Sequence, residues 1–159
     1  MRKNVLIISS SPRKGGNSET LAASFAKGAQ DAGNHVETVW LREKQIGFCK
    51  GCLACQKTQQ CVIHDDADAI VRKMKDAEVI AFATPIYFYE MCGQMKTLLD
   101  RSNPLFPSDY AFRDIYLLAT AADSAERLSA LITLPYSSPT VRMVSISATG
   151  VPAAGSVPP

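Results

Sequence analysis

The stretch Ser11-Pro12-Arg13-Lys14-Gly15-Gly16-Asn17-Ser18 decides the fold of this chain because of what stands on either side of it. A short apolar run, residues 5–8, precedes it, and a helical pattern with Leu21 and Phe25 on one face follows. We therefore predict a strand, a turn and a helix in succession. Backbone N–H groups at the start of such a helix are unpaired, and the helix dipole favours an anion there. The stretch is typical of a phosphate-binding turn.

Side chains of this turn can add to the binding of a phosphate. Ser11, Asn17 and Ser18 offer donors, and Arg13 offers a two-pronged, permanently charged contact. The turn lacks the Gly-x-Gly-x-x-Gly spacing of dinucleotide sites and the Gly-Lys-Ser/Thr ending of nucleoside-triphosphate loops. A hydroxyl-rich turn with one arginine suits a single terminal phosphate monoester. The alternative is an ordinary strand-to-helix connection in which Asn17 or Ser18 is the N-cap.

Composition places the chain among globular proteins. Its 159 residues suffice for one domain with a single core, and 47% are hydrophobic while 20% are charged. The net charge of +2, without a basic block, gives no indication of a nucleic-acid partner. The N-terminal apolar run is too short for a signal peptide, and no run approaches the length of a membrane span. We expect a cytoplasmic protein with no membrane partner, whose five cysteines are not disulfide-bonded.

Strands and helices alternate along the chain. The pattern predicts strands at about 4–9, 35–41, 78–83, 115–120 and 141–148, and helices at about 18–32, 65–77, 91–101 and 125–132. Such alternation predicts an α/β fold, in which a parallel sheet of five strands is doubly wound in the order 2-1-3-4-5, with helices on both faces. We expect residues 1–159 to form a single domain, with an irregular tail at about 149–159.

Ligands of a sheet with this order bind where the order reverses, at the carboxyl ends of strands 1 and 3. The phosphate turn follows strand 1, and Thr84-Pro85-Ile86-Tyr87-Phe88-Tyr89 follows strand 3 as an aromatic loop that contains proline. We expect both segments to meet at one crevice, where the second can lie along a flat heterocycle. The alternative for Tyr87 and Phe88 is ordinary core packing.

Four cysteines stand close together with the spacing C-x2-C-x2-C-x5-C. They are Cys49, Cys52, Cys55 and Cys61. The run is close to that of bacterial ferredoxins, but its last spacer is five residues long and no proline follows it. Zinc sites usually have two well separated C-x2-C pairs. An iron–sulfur cluster, free or redox-active thiols, and zinc are therefore three open interpretations. Cys92 stands apart, and we expect it to be a buried thiol.

Three motifs in this order resemble the NAD(P)H-dependent FMN reductases of the flavodoxin-like fold. They are the turn of residues 11–18, Thr84-Pro85-Ile86-Tyr87-Phe88, and Gly93-x-x-Lys96-x-x-x-Asp100-Arg101. The resemblance covers about residues 3–123 and implies FMN as cofactor. The phosphate would be held by Ser11, Arg13, Gly16, Asn17 and Ser18. The isoalloxazine would be held by Thr84, Pro85, Ile86, Tyr87 and Phe88, and by the loop near Ala121.

The resemblance also implies a reaction. FMN would take electrons from NAD(P)H and pass them to a second acceptor, which could be a flavin, a quinone or a redox partner. The cysteine spacing matches the iron–sulfur flavoproteins, a branch of the same family, which implies a [4Fe–4S] cluster on Cys49, Cys52, Cys55 and Cys61. The alternative function is therefore an iron–sulfur electron carrier without a nicotinamide site of its own, reduced by a ferredoxin-like partner.

The last third of the sequence departs from the family pattern. Relatives have a longer fourth helix and a final helix, whereas here prolines interrupt the former and the tail has no helical pattern. We therefore expect a flavodoxin-like fold with a shortened C-terminal part. Because subunits of this family often pair near the flavin, the resemblance implies a homodimer or a larger homo-oligomer.

Overall fold

The computed structural model describes residues 2–106 and 108–122, together with the backbone of residues 141–147. The strands are β1 (Asn4–Ser9), β2 (His35–Trp40), β3 (Val79–Tyr87), β4 (Glu90–Met91), β5 (Asp114–Ala121) and β6 (Val141–Ser147). The helices are α1 (Asn17–Asp31), α2 (Cys55–Thr58), α3 (Asp66–Asp76) and α4 (Gly93–Arg101), with 3-10 turns at Leu41–Glu43 and Asn103–Leu105. The bounds of β1 and β2 agree with the predicted ones to within a residue.

Five strands form a parallel sheet in the order β2-β1-β3-β5-β6, and the short β4 pairs antiparallel with the end of β3. The predicted strands 4 and 5 are β5 and β6, so the doubly wound order is confirmed. The order reverses between β1 and β3, whose register runs from Val5 beside Val79 to Ser9 beside Ala83. The carboxyl ends of these two strands therefore lie side by side.

Helices cover both faces of this sheet. α1 packs over one face, where Ile7, Leu21 and Leu118 belong to one buried cluster. α3 and α4 pack over the other face, in a cluster that includes Ile8 and Leu98. Neighbouring residues of β1 thus point to opposite faces and are apolar on both, as strands of a sheet covered on two sides must be. The architecture is the flavodoxin-like fold.

Local sequence explains where the helices begin. Asp65 caps α3, because its carboxylate accepts a hydrogen bond of 2.9 Å from the N–H of Ala67. α1 begins at Asn17, its N-cap is Gly16, and no side chain bonds to its first N–H groups as a cap. The alternative in which Asn17 or Ser18 is the N-cap is therefore wrong. α4 begins at Gly93 rather than at residue 91.

β3 is longer than predicted. Residues 84–87 continue the strand instead of forming a loop, and Pro85 lies beside Thr120 of β5 in the register. β1 ends beside Ala83, so on that side β3 is an edge at position 85, and edges tolerate proline. The loop is reduced to Phe88 and Tyr89, the two-residue turn of a hairpin with β4.

Other predictions concern parts of the chain that the structure leaves out. The predicted helix at 125–132 and the irregular tail at 149–159 lie outside the described residues. α2, within the cysteine segment, was not predicted. Across residues 2–106 and 108–122, every helix falls short of the length or the apolar character that crossing a membrane requires.

Candidate functional site

Buried hydroxyl groups collect at the carboxyl end of the sheet. Apart from Arg101, every buried polar residue in the described part of the chain is a serine or threonine from this end or from the turn beside it. They are Ser9, Ser10, Ser11, Ser18, Thr84 and Thr120. Ser11, Ser18 and Thr84 were predicted as site residues, whereas Ser9, Ser10 and Thr120 were not. Each of these three carries a hydroxyl at or next to the end of an apolar strand, which is the signal that could have found them. Burying hydroxyls is costly unless they find partners, so their concentration marks a polar site.

On the face covered by α1, these hydroxyls lie in and beside the turn of residues 11–18. The hydroxyls of Ser18 and Thr120 are hydrogen-bonded, with 2.6 Å between their oxygens, which joins the start of α1 to the end of β5. Ser11 Oγ donates to the carbonyl of Arg13 at 2.9 Å. The alternation of β1 places Ser9 on the same face as Ile7. Among the described residues, nothing is hydrogen-bonded to its buried Oγ.

On the opposite face, the hydroxyls tie the turn to β3 and α4. Ser10 donates its N–H to the carbonyl of Ala83 at 2.9 Å. Cys92 donates its thiol to Ser10 Oγ at 3.0 Å and its N–H to Thr84 Oγ1 at 3.2 Å. Cys92 is buried, as expected. The structure thus brings the segment after β1 and the end of β3 into contact at the carboxyl edge of the sheet.

The turn itself is shaped by its glycines and by a carboxylate. Gly15 has a φ of +67°, and its N–H donates to Glu19 Oε2 at 2.9 Å. Arg42 binds this carboxylate, with 3.2 Å between Nη1 and Oε2. Its guanidinium carbon lies 4.7 Å from the centre of the Trp40 ring. A Cβ on Gly16 would lie 3.4 Å from Ser11 Oγ, so a side chain there would fill the hollow of the turn. The hydrogen bond from Gly15 to Glu19 and the salt bridge between Glu19 and Arg42 were not predicted from the sequence.

Two predicted phosphate ligands stand open to solvent. Arg13 and Asn17 are exposed. Within the described residues, the guanidinium of Arg13 has no salt bridge or hydrogen bond, whereas Arg42 and Arg101 are both paired. The charge of Arg13 is therefore not neutralised by any side chain in the described part of the chain, and it can bind an incoming anion.

The hairpin that ends β3 carries exposed aromatic rings. Tyr87, Phe88 and Tyr89 are 46%, 95% and 66% exposed, which makes the core-packing alternative for Tyr87 and Phe88 wrong. The rings of Phe88 and Tyr89 pack edge to face, with 5.8 Å between their centres. Both residues have positive φ, +48° and +68°, a conformation that bulky side chains rarely adopt. Strained backbone that displays aromatic rings is typical of ligand sites.

The remaining predicted flavin contacts are less accessible. Thr84 and Pro85 are buried, and Thr84 Oγ1 is already bonded to Cys92 and to the carbonyl of Pro85. Ile86 and Ala121 are partly buried against the same small apolar cluster. Ala121 directly follows Thr120, the partner of Ser18. The end of β5 therefore lies beside the start of α1.

The four neighbouring cysteines differ in exposure. Cys49 and Cys52 are exposed, Cys61 is half-buried, and Cys55 is buried. Burial raises the pKa of the Cys55 thiol, and the nearby thiolates of Cys61, Cys52 and Cys49 raise it further. Within the described residues, no three His, Cys, Asp or Glu side chains form a group that could hold a metal ion.

A buried ion pair lies beside the cysteines. Arg101 is 1% exposed, and its Nη1 lies 2.7 Å from Asp65 Oδ2. Burial alone would raise the pKa of Asp65, but hydrogen bonds from Arg101, Gly47 and Ala67 outweigh it and lower that pKa below its usual value. Burial lowers the pKa of Arg101, but the hydrogen bonds and charges of Asp65 and Cys61 outweigh this effect and raise that pKa above its usual value. The sequence analysis placed Arg101 in a motif but did not predict its burial.

Comparison with known proteins assigns this arrangement to a family. The family described as NADPH-dependent FMN reductase matches residues 3–155. The chain belongs to this family. Among relatives of this FMN reductase family member, an iron–sulfur flavoprotein of Methanocaldococcus jannaschii is 39% identical over 101 residues, 64% of this chain and 52% of that protein. An iron–sulfur flavoprotein of Methanosarcina thermophila is 37% identical over 107 residues, 67% of this chain and 56% of that protein.

The chain spans about half the length of these curated relatives. Comparison with solved structures supports the flavodoxin-like fold of this FMN reductase family member. An NAD(P)H:quinone oxidoreductase from Methanothermobacter marburgensis superposes with a TM-score of 0.76 at 16% identity, over 96% of this chain and 90% of that chain. At this identity the likeness concerns the fold alone.

Proposed function

We propose that this chain is an FMN-binding oxidoreductase that takes electrons from NAD(P)H and passes them to a second acceptor, a flavin, a quinone or a redox partner. Membership of the FMN reductase family supports this proposal. The observation that carries it is the set of buried hydroxyls gathered at the carboxyl ends of β1, β3 and β5, where the strand order reverses. Parallel sheets of this order bind their ligands at that point.

The phosphate of FMN would lie in the turn before α1. The start of this 15-residue helix offers N–H groups and a favourable dipole. Ser11, Asn17 and Ser18 would add polar contacts, and Arg13 would add a charge-assisted one. The hollow above Gly16 and the unpartnered buried hydroxyl of Ser9 fit a small anion with its bound water.

The isoalloxazine would lie along the end of β3 and the hairpin turn. Because the side chains of Thr84 and Pro85 are buried, these residues and Ile86 would contribute backbone groups, whereas Tyr87 and Phe88 would contribute ring faces. The end of β5 at Ala121 would border the other side. Bound FMN supplies the acceptance and release of hydride and electrons. The chain's own residues bind it, orient it and exclude water.

Anaerobic reduction of the protein tests this proposal. The purified chain is saturated with FMN and mixed with NADH or with NADPH, and the visible flavin absorbance is followed. We expect one of the two nicotinamides to bleach the flavin band faster than it bleaches free FMN. If neither does so, the chain has no nicotinamide-dependent reductase activity.

The second candidate function is that of an iron–sulfur electron carrier without its own nicotinamide site. Two relatives named iron–sulfur flavoproteins and the four neighbouring cysteines favour it. Four thiols suit the chemistry of such a cluster, although the described side chains are not grouped as ligands, so we assign the cluster no step. Iron and sulfide analysis with an anaerobic spectrum tests this candidate. A carrier would contain both elements, and a ferredoxin but not NAD(P)H would reduce it.

We further propose that the chain forms homodimers or larger homo-oligomers. Phe48, Phe88 and Phe106 are almost fully exposed, and association would remove apolar rings of this kind from water. Light scattering across a range of concentrations, with and without FMN, tests the proposal. A single monomeric mass under all conditions would contradict it.

A further inference from the structure

The segment that carries the four cysteines leaves the fold and returns to it at one narrow place, which we call the neck. The neck consists of residues 45–47 on the outgoing side and 63–66 on the returning side. Gln45 donates its N–H to Asp66 Oδ2 at 2.7 Å, and Asp66 donates its N–H to the carbonyl of Gln45 at 3.3 Å. Gly47 donates its N–H to Asp65 Oδ2 at 2.8 Å. The carboxylates of Asp65 and Asp66, together with one main-chain hydrogen bond, therefore hold the two sides together.

Arg101 completes the neck from the last turn of α4. Its Nη1 donates to the carbonyl of Gly47 at 2.8 Å and to Asp65 Oδ2 at 2.7 Å. Its Nη2 donates to the carbonyl of Ile63 at 2.7 Å and to Asp65 Oδ1 at 3.1 Å. One guanidinium thus binds the outgoing side, the returning side and the cap of α3. The side chain of Arg101 has no exposed surface, so water does not compete for these bonds.

Beyond the neck, the cysteine segment has little regular structure to hold it. Its helix α2 has only four residues, and the segment includes Leu53 and Gln59 with positive φ. α2 nevertheless contacts the Asn103–Leu105 turn, and Cys55 at its start is buried while Cys52 is exposed. A short helix has little stability of its own, so this packing must be imposed from outside the segment.

We propose that Arg101 is a positioning residue for the cysteine segment. By closing the neck, it keeps Cys55 buried and Cys61 half-buried and leaves Cys49 and Cys52 exposed to solvent. It thereby decides which of the four thiols are accessible to reagents or ligands. This inference goes beyond the proposed flavin chemistry and does not depend on it. The neck shares no residue with the hydroxyl cluster, the name we give to the six buried serines and threonines at the carboxyl end of the sheet.

The geometry requires arginine and not merely a positive charge. The planar fork of the guanidinium reaches two carbonyls and both carboxylate oxygens at once. A lysine ammonium is a single point with three donors, and it cannot hold Gly47 and Ile63 in the same positions. An Arg101→Lys variant therefore keeps the charge beside Asp65 and Cys61 but loosens the neck.

Alkylation of the individual cysteines tests the proposal. Wild-type protein and the Arg101→Lys, Asp65→Asn and Arg72→Lys variants are treated with iodoacetamide, and the rate at each cysteine is measured by peptide mass spectrometry. Arg72 is an exposed arginine of α3 and provides the matched control. We expect Cys55 to react at least tenfold faster in Arg101→Lys and Asp65→Asn. Cys49 and Cys52 should change less than twofold in every variant, and all four thiols less than twofold in Arg72→Lys.

Urea distinguishes opening of the neck from unfolding of the whole chain. Local opening exposes little surface, so the faster rate at Cys55 should be nearly independent of urea below the unfolding transition. A rate that rises with urea as steeply as global unfolding does, or a Cys55 rate equal to that of the wild type, would overturn the proposal. Should Arg101→Lys not fold, Asp65→Asn decides the matter, because asparagine can still cap α3.

Discussion

Arg13 is an exposed cation in the phosphate turn, and within the described residues no carboxylate neutralises it. If it binds the phosphate of FMN, Arg13→Ala removes a charge-assisted hydrogen bond worth roughly 1.5–3 kcal/mol. We therefore expect the dissociation constant of FMN to rise about 10- to 100-fold, measured by quenching of flavin fluorescence. Lys14→Ala removes the charge of an exposed neighbour in the same turn and is the control. An equal effect of both variants would show that only the overall charge of the turn matters.

Asp65 makes the stability of the chain depend on acidity. Its pKa is lowered from the usual value of 3.8, so the folded state favours the ionised carboxylate. The resulting stabilisation is complete above the unfolded pKa and is lost as the pH falls towards the lower, folded one. The difference in unfolding free energy between the wild type and Asp65→Asn should be constant above about pH 5 and shrink below about pH 4. Urea unfolding at several pH values measures it.

Asp76→Asn is the control for this pH dependence. Asp76 is an exposed carboxylate at the other end of the same helix. Because Asp76→Asn keeps the ion pair between Asp65 and Arg101, this variant should retain the acid sensitivity of the wild type. If the curves of the two variants coincide, the ion pair with Arg101 does not set the acid stability.

At the scale of elements, the aromatic turn residues Phe88 and Tyr89 lower the stability of the hairpin between β3 and β4. Both turn residues have positive φ, which type I′ turns require and which Asn-Gly adopts far more readily than Phe-Tyr. We expect the double variant Phe88→Asn/Tyr89→Gly to unfold at a higher urea concentration, with a gain of about 1 kcal/mol. FMN affinity should fall at the same time, because the exposed rings are gone. The variant Phe88→Ala keeps the unfavourable conformation and should lose affinity without gaining stability.

Elements with a strong hydrophobic pattern could be predicted from the sequence. β1 is correct to the residue and α3 to about one residue, because their apolar positions repeat regularly and Asp65 is a clear cap. The extension of β3 through Pro85 could not be predicted, since it depends on where β1 ends beside it. The burial of Arg101 could not be predicted either, because its four acceptors belong to residues that lie 36 to 54 positions earlier in the chain. Local patterns do not report contacts of this kind.

At the scale of the whole molecule, α4 connects two buried polar sites, the hydroxyl cluster and the neck. Its N-cap residue, Cys92, is bonded to Ser10 and Thr84 in the hydroxyl cluster, and its last residue, Arg101, closes the neck. Nine helical residues rise about 13 Å, so the two places are held at a short and fixed separation. A helix this short and this firmly tied at both ends should move as one body with the sheet.

Ligand binding should stabilise the whole chain in a way that depends on the phosphate. FMN present at 100 times its dissociation constant adds about 2.7 kcal/mol to the unfolding free energy, which for a chain of this size raises Tm by about 5–10 °C. Riboflavin has the same ring but no phosphate, so at equal concentration it should raise Tm much less. Arg13→Ala should reduce the shift caused by FMN and leave the smaller shift caused by riboflavin unchanged. Differential scanning fluorimetry measures all four combinations, and equal shifts with both flavins would mean that the phosphate lies outside the turn before α1.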